Sequence, residues 1–393
     1  MPGQSQKVRI NIDYLRPYTK IVYALYSVDN RKIIDERVIL TPQMLELIKS
    51  KFGNIVYALK EDKKGIISQK NLDAAMETSV GIIDQITKTE KLTKSAFNEA
   101  EKVIDGIISD LDSSEMEAIN LLKNLQSFEG YIYQHSVNVG ILAAVFAKLK
   151  GNLSPDQVKF LTLGAYLLDI GLTKIDQYLL KKDTKYSDAD RQKMKQHPQF
   201  GYEILKNISG IDKIVLQTIL FHHEKFNLKG YYQLPYDLLP VAPKIVSVCD
   251  VYDALTTPRP YRNSIAPTDA LRFLVNSIGI YFDYNLISDF INYLGPLLNN
   301  TQSFYAKNDF CELNTRELAM VMDFNLKDYL KPQIMVFCKF QKKRNQIAVK
   351  FYENPVYINL EDDDKRLMTK IIDNKKHINA IRAKLIDKGM IIK

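Results

Sequence analysis

Four histidines and two aspartates in the middle of the chain have the residue types and the spacing of a metal site. The sequence has five histidines in all, and Asp169 and Asp250 each interrupt an apolar run of helical spacing, "LTLGAYLLDIG" and "KIVSVCDVYDAL". A buried carboxylate needs a partner or a cation because its desolvation is otherwise too costly. Neutral imidazoles combined with carboxylates suit iron, manganese or zinc. The candidate ligands are His135, Asp169, His197, His222, His223 and Asp250.

These residues also have an ordinary explanation. A single histidine on a helix is more often a packed core residue or a surface residue than a ligand. The adjacent pair His222-His223 and the two isolated carboxylates weaken that explanation. From spacing alone, a metal site and ordinary packing stay equally open.

The order of motifs around these residues resembles the HD-GYP domain, a branch of the HD superfamily of metal-dependent phosphohydrolases whose members typically cleave cyclic di-GMP. The resemblance covers roughly residues 125–300 and rests on "LLDIG", "MKQHPQFG", "HHEK", "GY" and "DVYDALTTPRPYR". It implies a mainly α protein with an all-α HD-type helical domain. The flanking stretches "INIDYLRP" and "CELNTRELAMVM" resemble, more weakly, modules that accompany this domain.

The resemblance assigns roles to individual residues. One metal would be held by Asp169, His197, His222 and His223, and this set is complete. A second metal would use His135, Asp169 and Asp250, with Asp169 in the bridging, catalytic position. We therefore expect one well-formed site and one weakened site, with iron or manganese ahead of zinc. The residues placed against the nucleotide are Tyr231, Asp253, Arg259 and Arg262, of which the two arginines suit phosphate oxygens.

The sequence departs from the family pattern at positions that matter for catalysis. Leu168 stands where the family has a ligand histidine, and Leu172 stands where it has a phosphate-contacting lysine. Tyr131 replaces a glutamate that serves a third metal, so no third metal is expected. Tyr232 replaces the proline of the Gly-Tyr-Pro motif. The lost groups act on the transition state, so we expect impaired catalysis with metal binding retained.

Three functions remain open at this stage. The first is a cyclic di-GMP phosphodiesterase that works with one complete metal site and one weakened site. The second is a catalytically inactive effector that binds cyclic di-GMP or a related guanine nucleotide. The third is a scaffold that docks a protein signalling partner and keeps the metal for structure.

The elements that must position these residues fall into four predicted segments. Residues 1–65 alternate like a small α+β module, and residues 66–125 have the three-to-four spacing of a helical connector. Residues 126–300 form the HD-GYP-like domain, and residues 301–393 form a β-rich tail that ends in a basic helix. We expect that the helical pair at 68–125 can mediate a homodimer.

Composition excludes several classes of protein. No apolar run reaches the length of about 18 residues that a membrane span needs, and the N-terminus lacks the apolar core of a signal peptide. The three cysteines are scattered and form no metal-type pair. The net charge is +8, but acidic and basic residues are interleaved and no aromatic residues punctuate the basic tail. We therefore expect a cytoplasmic protein with no nucleic-acid partner.

Overall fold

The structure is a computed structural model, and it describes most of the chain. The described residues are 6–12, 24–29, 31–35, 38, 40–53, 55–60, 67–113, 131–180, 182, 184–257, 264–298, 304–325, 327–343 and 346–391. The predicted phosphate contacts Arg259 and Arg262 lie outside the described residues, as does the part of the predicted helical connector beyond residue 113.

The predicted fold class is confirmed: a helical domain is flanked by a small sheet toward each end of the chain. The N-terminal sheet is antiparallel in the order β1-β4-β2-β3. Its helix begins after Thr41, because the Thr41 hydroxyl accepts a hydrogen bond from the Met44 amide and so caps the first turn. The elements of this part are β1 (Gln6–Asn11), β2 (Leu25–Tyr26), β3 (Lys32–Ile34), α1 (Pro42–Phe52) and β4 (Ile55–Lys60).

The helical part carries every candidate metal ligand. Two long helices, α2 (Gln69–Thr89) and α3 (Lys94–Ser113), pack side by side and precede it. They are followed by α4 (Tyr131–Lys150), α5 (Pro155–Tyr166), a 3-10 helix (Ile170–Lys174), α6 (Gln177–Leu180), α7 (Asp188–Met194), α8 (His197–Leu205), α9 (Lys213–Phe221), a 3-10 helix (Tyr236–Leu238), α10 (Val241–Thr256), α11 (Pro267–Asn276) and α12 (Tyr284–Leu298).

The C-terminal sheet is antiparallel, in the order β8-β7-β6-β5-β9. Strand β8 runs without interruption through Pro355. Proline is tolerated there because β8 is an edge strand, where a missing amide leaves no partner unpaired. The elements are β5 (Phe310–Leu313), β6 (Glu317–Asp323), β7 (Gln333–Lys343), β8 (Gln346–Asn359), a 3-10 helix (Leu360–Asp362), β9 (Met368–Ile371) and α13 (Lys375–Asp387).

One hydrophobic cluster runs through the helical part and into the C-terminal sheet. Ile82 of α2 and Ile104 of α3 belong to the same cluster as Val139 of α4, and Ile334 of β7 joins it as well. The Tyr166 hydroxyl at the end of α5 donates a hydrogen bond to the carbonyl of Ala75, at 2.6 Å. The helical pair α2–α3 therefore packs as part of the core that supports the candidate site.

Among the described residues, no helix combines the length and the apolar character needed to cross a membrane.

Candidate functional site

The candidate ligands come from five elements that are far apart in sequence. His135 lies in the first turns of α4, and Asp250 lies in the middle of α10. His197 is the first residue of α8, and His222-His223 directly follow the last residue of α9. Helix α10 packs against α4 and α9, and α8 packs against α9. These contacts bring the five elements to one place.

The sequence predicted that Asp169 lies within a helix, but the structure places it in a turn. Helix α5 ends at Tyr166, and Asp169 immediately precedes the following 3-10 helix, where its side chain makes no capping hydrogen bond. The reason is a close backbone approach at Gly171. A Cβ atom there would lie 1.9 Å from the carbonyl oxygen of His197. Glycine thus lets the turn that carries Asp169 press directly against the start of α8.

Asp169 faces two histidines from different helices. One of its carboxylate oxygens lies 3.4 Å from Nε2 of His197, and the other lies 3.8 Å from Nε2 of His135. Asp250 reaches His135 on the same side, and its second oxygen lies 4.0 Å from Nδ1 of His223. All six candidate ligands therefore converge, with the two carboxylates between His135 and the three other histidines.

His197, His222 and His223 form the tightest part of the site, since one nitrogen from each lies within 4.8 Å of the others. His197 Nδ1 lies 2.8 Å from the carbonyl of Met194, and His222 Nδ1 lies 2.8 Å from the carbonyl of Ile219. A carbonyl only accepts hydrogen bonds, so both Nδ1 atoms carry the proton. The tautomers are thereby assigned, and both Nε2 atoms present lone pairs.

These two lone pairs face each other, because His197 Nε2 and His222 Nε2 lie 3.3 Å apart. Two buried acceptors at this distance repel each other unless a cation shares them. Burial lowers the pKa of His197 and holds the pKa of His223 well below its usual value, so both rings stay neutral, the form that binds metals. The residues present therefore fit a divalent metal ion.

His135 is held by two carboxylates. Its Nε2 lies 3.0 Å from Asp250 and its Nδ1 lies 2.6 Å from Asp253. Burial disfavours the imidazolium, but the hydrogen bonds to both aspartates outweigh burial and raise the pKa of His135 to about 10. Burial likewise opposes ionisation of Asp250, yet the hydrogen bond from His135 keeps the pKa of Asp250 well below its usual value.

Both carboxylate oxygens of Asp253 accept hydrogen bonds from neighbouring side chains. One oxygen accepts from Nδ1 of His135, and the other accepts from the Asn138 amide at 2.8 Å and the Thr257 hydroxyl at 2.9 Å. The side chain is 2% exposed. Asn138 and Thr257 were not predicted from the sequence as partners of Asp253. Their spacing is the signal that could have found them, because Asn138 follows His135, and Thr257 follows Asp253, by one helical turn.

Glu224 is a second residue that sequence reasoning missed. Its buried carboxylate accepts from the backbone amides of Tyr232 at 2.7 Å and Leu234 at 2.8 Å. A Cβ on Gly230 would come within 2.6 Å of the Glu224 Cα, so glycine is needed for the loop to close on this carboxylate. The loop then presents Tyr231, whose ring lies 4.5 Å from the ring of His223 at an angle of 38°.

Leu168 and Leu172, which stand where the HD-GYP pattern has a histidine and a lysine, both pack in hydrophobic clusters. Leu168 is fully buried in the main hydrophobic cluster. Leu172 packs in a smaller cluster that also contains Met194 and Phe200. Neither position offers a polar group to the site.

Comparisons with known proteins identify what the helical part is similar to. Residues 117–286 match the family model described as the HD domain. A cyclic di-GMP phosphodiesterase of Pseudomonas aeruginosa is 27% identical over 227 residues, which cover 58% of this chain and 52% of that relative. A cyclic di-GMP phosphodiesterase response regulator of Xanthomonas campestris is 28% identical over 205 residues, covering 51% of this chain and 53% of that relative.

The chain thus spans about half the length of these two relatives. Among solved structures, an HDG"Y"P protein of Bdellovibrio bacteriovorus aligns with a TM-score of 0.47 at 20% identity, covering 74% of this chain and 100% of that one. The predicted resemblance to the HD superfamily is confirmed for residues 117–286, which match its family model.

Proposed function

We propose, from the match of residues 117–286 to the family model described as the HD domain, that the chain is a metal-dependent phosphohydrolase acting on cyclic di-GMP. The observation that carries this proposal is the convergence of two carboxylates and four histidines, with two histidine Nε2 lone pairs 3.3 Å apart. The names of its relatives supply the substrate class, which the donor set alone does not specify.

We assign the better-formed metal position to Asp169, His197, His222 and His223. The second position has His135, Asp169 and Asp250 and lacks the histidine that Leu168 replaces. A divalent metal bound there supplies Lewis-acid polarisation of a phosphodiester and activation of water. The mixed nitrogen and carboxylate donor set supports iron or manganese ahead of zinc.

The chain's own residues orient this machinery. Asp169 faces both His135 and His197, which supports the proposal that the two metal positions would share it. We reassign Asp253 from nucleotide contact to positioning, because its oxygens are occupied by His135, Asn138 and Thr257. Tyr231 covers His223 and supplies a ring at the rim of the site. Arg259 and Arg262, whose structure is not described, remain proposed phosphate contacts.

Hydrolysis of the phosphodiester should be slower here than at an HD-GYP site that keeps the ligand histidine and the lysine. Leu168 gives the second metal position no donor, and Leu172 gives the phosphate no charge. Loss of a supporting residue around a metal already lowers affinity or activity by roughly 10–100-fold. A lost ligand removes more, because it acts on the charge that develops in the transition state.

Binding without turnover is the second candidate function. It is favoured by the same two leucines, since the groups they replace act during the reaction while Tyr231 and the proposed arginines act on the bound ligand. Such a protein would report cyclic di-GMP, or another guanine dinucleotide, to a protein partner.

The deciding experiment combines elemental analysis with a cyclic di-GMP turnover assay in added manganese or iron. Wild type is compared with the double variant Leu168→His/Leu172→Lys. Turnover by wild type, with faster turnover by the double variant at higher metal content, supports the impaired enzyme. Tight nucleotide binding with turnover only in the double variant supports the effector. Absence of nucleotide binding by metal-loaded wild type overturns both.

A further inference from the structure

The loop that follows the histidine pair is bound to one buried carboxylate. Glu224, the residue after the ligand His223, is 3% exposed. Each of its carboxylate oxygens accepts one backbone amide, from Tyr232 at 2.7 Å and from Leu234 at 2.8 Å. Hydrogen bonds from amides to a carboxylate are stronger than those between neutral groups. The second half of the loop is therefore tied to the backbone beside a candidate metal ligand.

The backbone between these two amides has an uncommon conformation. Gln233 has a φ of 58°, in the left-handed region that residues with a side chain rarely adopt. A left-handed residue lets the amides on either side of it converge on one anion. This conformation costs free energy, and the hydrogen bonds to Glu224 offset the cost.

One of the two amides is present because the chain departs from the Gly-Tyr-Pro pattern at Tyr232. Proline has no backbone N–H and fixes its own φ angle through its ring. A proline at this position could not donate the hydrogen bond that Tyr232 donates to Glu224. At this point the chain thus has a hydrogen bond where the pattern has a rigid ring.

Tyr231 lies between two residues that are both held by Glu224. Gly230 precedes it, and a Cβ on Gly230 would lie 2.6 Å from the Glu224 Cα, so the backbone there presses directly on Glu224. Tyr232 follows it and donates its amide to Glu224. The Tyr231 ring lies 4.5 Å from the ring of His223. Its place over the histidine cluster therefore depends on the backbone that Glu224 holds.

We propose that Glu224 is a positioning residue, which clamps residues 230–234 and thereby holds the Tyr231 ring where it contacts a bound nucleotide. The inference rests on the proposed function for the identity of the ligand. Its own content is that Glu224 acts through Tyr231 and not through the metal, and that its bond to the Tyr232 amide takes the place of the proline.

The first test is calorimetric titration of the metal-loaded full chain with cyclic di-GMP. Glu224→Gln replaces one acceptor oxygen with an NH2 group, which cannot accept from an amide. Glu203→Gln is the matched control, because Glu203 is an exposed glutamate of α8. We expect Glu224→Gln to bind the nucleotide roughly tenfold more weakly at unchanged metal content, the size of one lost hydrogen bond to a charged group. The control should bind like wild type.

A double-mutant cycle separates a positioning role from a merely structural one. If Glu224 acts through Tyr231, Glu224→Gln weakens nucleotide binding in wild type and has little further effect in Tyr231→Ala. Equal losses of affinity in the two backgrounds would overturn the proposal.

Two variants of Tyr232 test its amide. Tyr232→Pro and Tyr232→Ala both remove the phenol ring, but only the proline variant removes the N–H. We expect the proline variant to bind the nucleotide several-fold more weakly than the alanine variant. Equal or tighter binding by the proline variant would overturn the role of this amide.

Limited digestion with trypsin tests the clamp without any nucleotide. Lys229 is exposed and directly precedes Gly230, so the rate of cleavage after Lys229 reports release of the loop. We expect Glu224→Gln to be cleaved there several-fold faster than wild type or Glu203→Gln. Melting temperatures of all three proteins show whether the release is local.

The two proposals fail in different ways. If wild type binds cyclic di-GMP and Glu224→Gln matches it in affinity and cleavage rate, the clamp is overturned and the proposed function stands. If wild type does not bind cyclic di-GMP but Glu224→Gln is cleaved faster, the clamp is supported and the proposed nucleotide is wrong. If wild type does not bind it and the cleavage rates are equal, both are overturned.

Discussion

The Nε2 atoms of His197 and His222 lie 3.3 Å apart, and both rings donate their Nδ1 proton to a backbone carbonyl one helical turn earlier. The backbone therefore fixes two lone pairs in opposition before any ligand arrives. This arrangement is unfavourable in an empty site and favourable around a cation.

Removal of the metal should therefore destabilise the protein. A ligand present at 100 times its dissociation constant stabilises the native state by about 2.7 kcal/mol. We expect a chelator to lower the melting temperature of wild type and to leave that of His223→Ala nearly unchanged, because that variant has already lost a ligand. Differential scanning calorimetry with and without chelator measures both. An equal chelator effect on the two proteins would contradict a metal held by these histidines.

Gly171→Ala should damage the site through the backbone. The added methyl would lie 1.9 Å from the carbonyl oxygen of His197, so the turn carrying Asp169 must move away from α8. We expect several kcal/mol of destabilisation and reduced metal content. The matched control is Gly81→Ala in α2, where nothing lies within 4 Å of the new methyl and a gain of roughly 0.5–1 kcal/mol is expected from helix propensity. Equal effects of the two substitutions on metal content would refute this explanation.

Leu168→His should lower the stability of the metal-free protein and strengthen metal binding. The side chain is fully buried in the main hydrophobic cluster, so an imidazole without a partner should destabilise the metal-free protein by roughly 1–3 kcal/mol. Added manganese should recover part of this loss if the new ring reaches the second metal position. Thermal unfolding in chelator and in manganese gives the two values. A loss that manganese does not reduce would show that the ring points away from the metal.

Asp253→Asn tests whether Asp253 orients His135 or contacts the nucleotide. The variant removes the charge that faces Nδ1 of His135 at 2.6 Å while keeping the shape of the side chain. We expect metal affinity to fall by roughly 10–100-fold, the usual effect of losing a residue that orients a ligand. Nucleotide affinity at saturating metal should stay close to that of wild type. Weakened nucleotide binding with unchanged metal affinity would instead show that Asp253 contacts the nucleotide.

The C-terminal sheet should lose stability in acid through Glu317. Burial opposes its ionisation, but hydrogen bonds from Arg366, Thr315 and Tyr352 outweigh burial and lower the pKa of Glu317 to about 2, below its ordinary value of 4.5. A depressed native pKa stabilises the fold fully above the ordinary value, and the contribution is lost as pH falls from about 4.5 to about 2. The loss is on the order of 3 kcal/mol.

Unfolding by denaturant as a function of pH measures this contribution. Glu317→Gln should be less stable than wild type at neutral pH and show a flatter acid profile, whereas the exposed Glu353→Gln should follow wild type. A Glu317→Gln profile as steep as that of wild type would assign the acid sensitivity to other groups.

The ligand types could be read from the sequence because Asp169 and Asp250 stand out in apolar runs and histidine is scarce. Their relation in space could not, since it depends on the packing of elements far apart in the chain. The helix expected around Asp169 was wrong for a tertiary reason, the approach of Gly171 to α8. The hydrogen-bond partners of Asp253 could not be predicted, because a motif position says nothing about which neighbours contact its oxygens. Strands β5 and β9 went unpredicted, since strands of four residues give little periodicity.

The hydrogen bond from Tyr166 to Ala75 and the cluster shared by α2, α3 and α4 decide how the molecule can be divided. A fragment cut after α3 would leave the apolar faces of α4 and α5 open to water and the Tyr166 hydroxyl without its acceptor. The helical pair is thus an inner wall of the domain, and the smallest autonomous fragment that contains all six candidate ligands begins before residue 69.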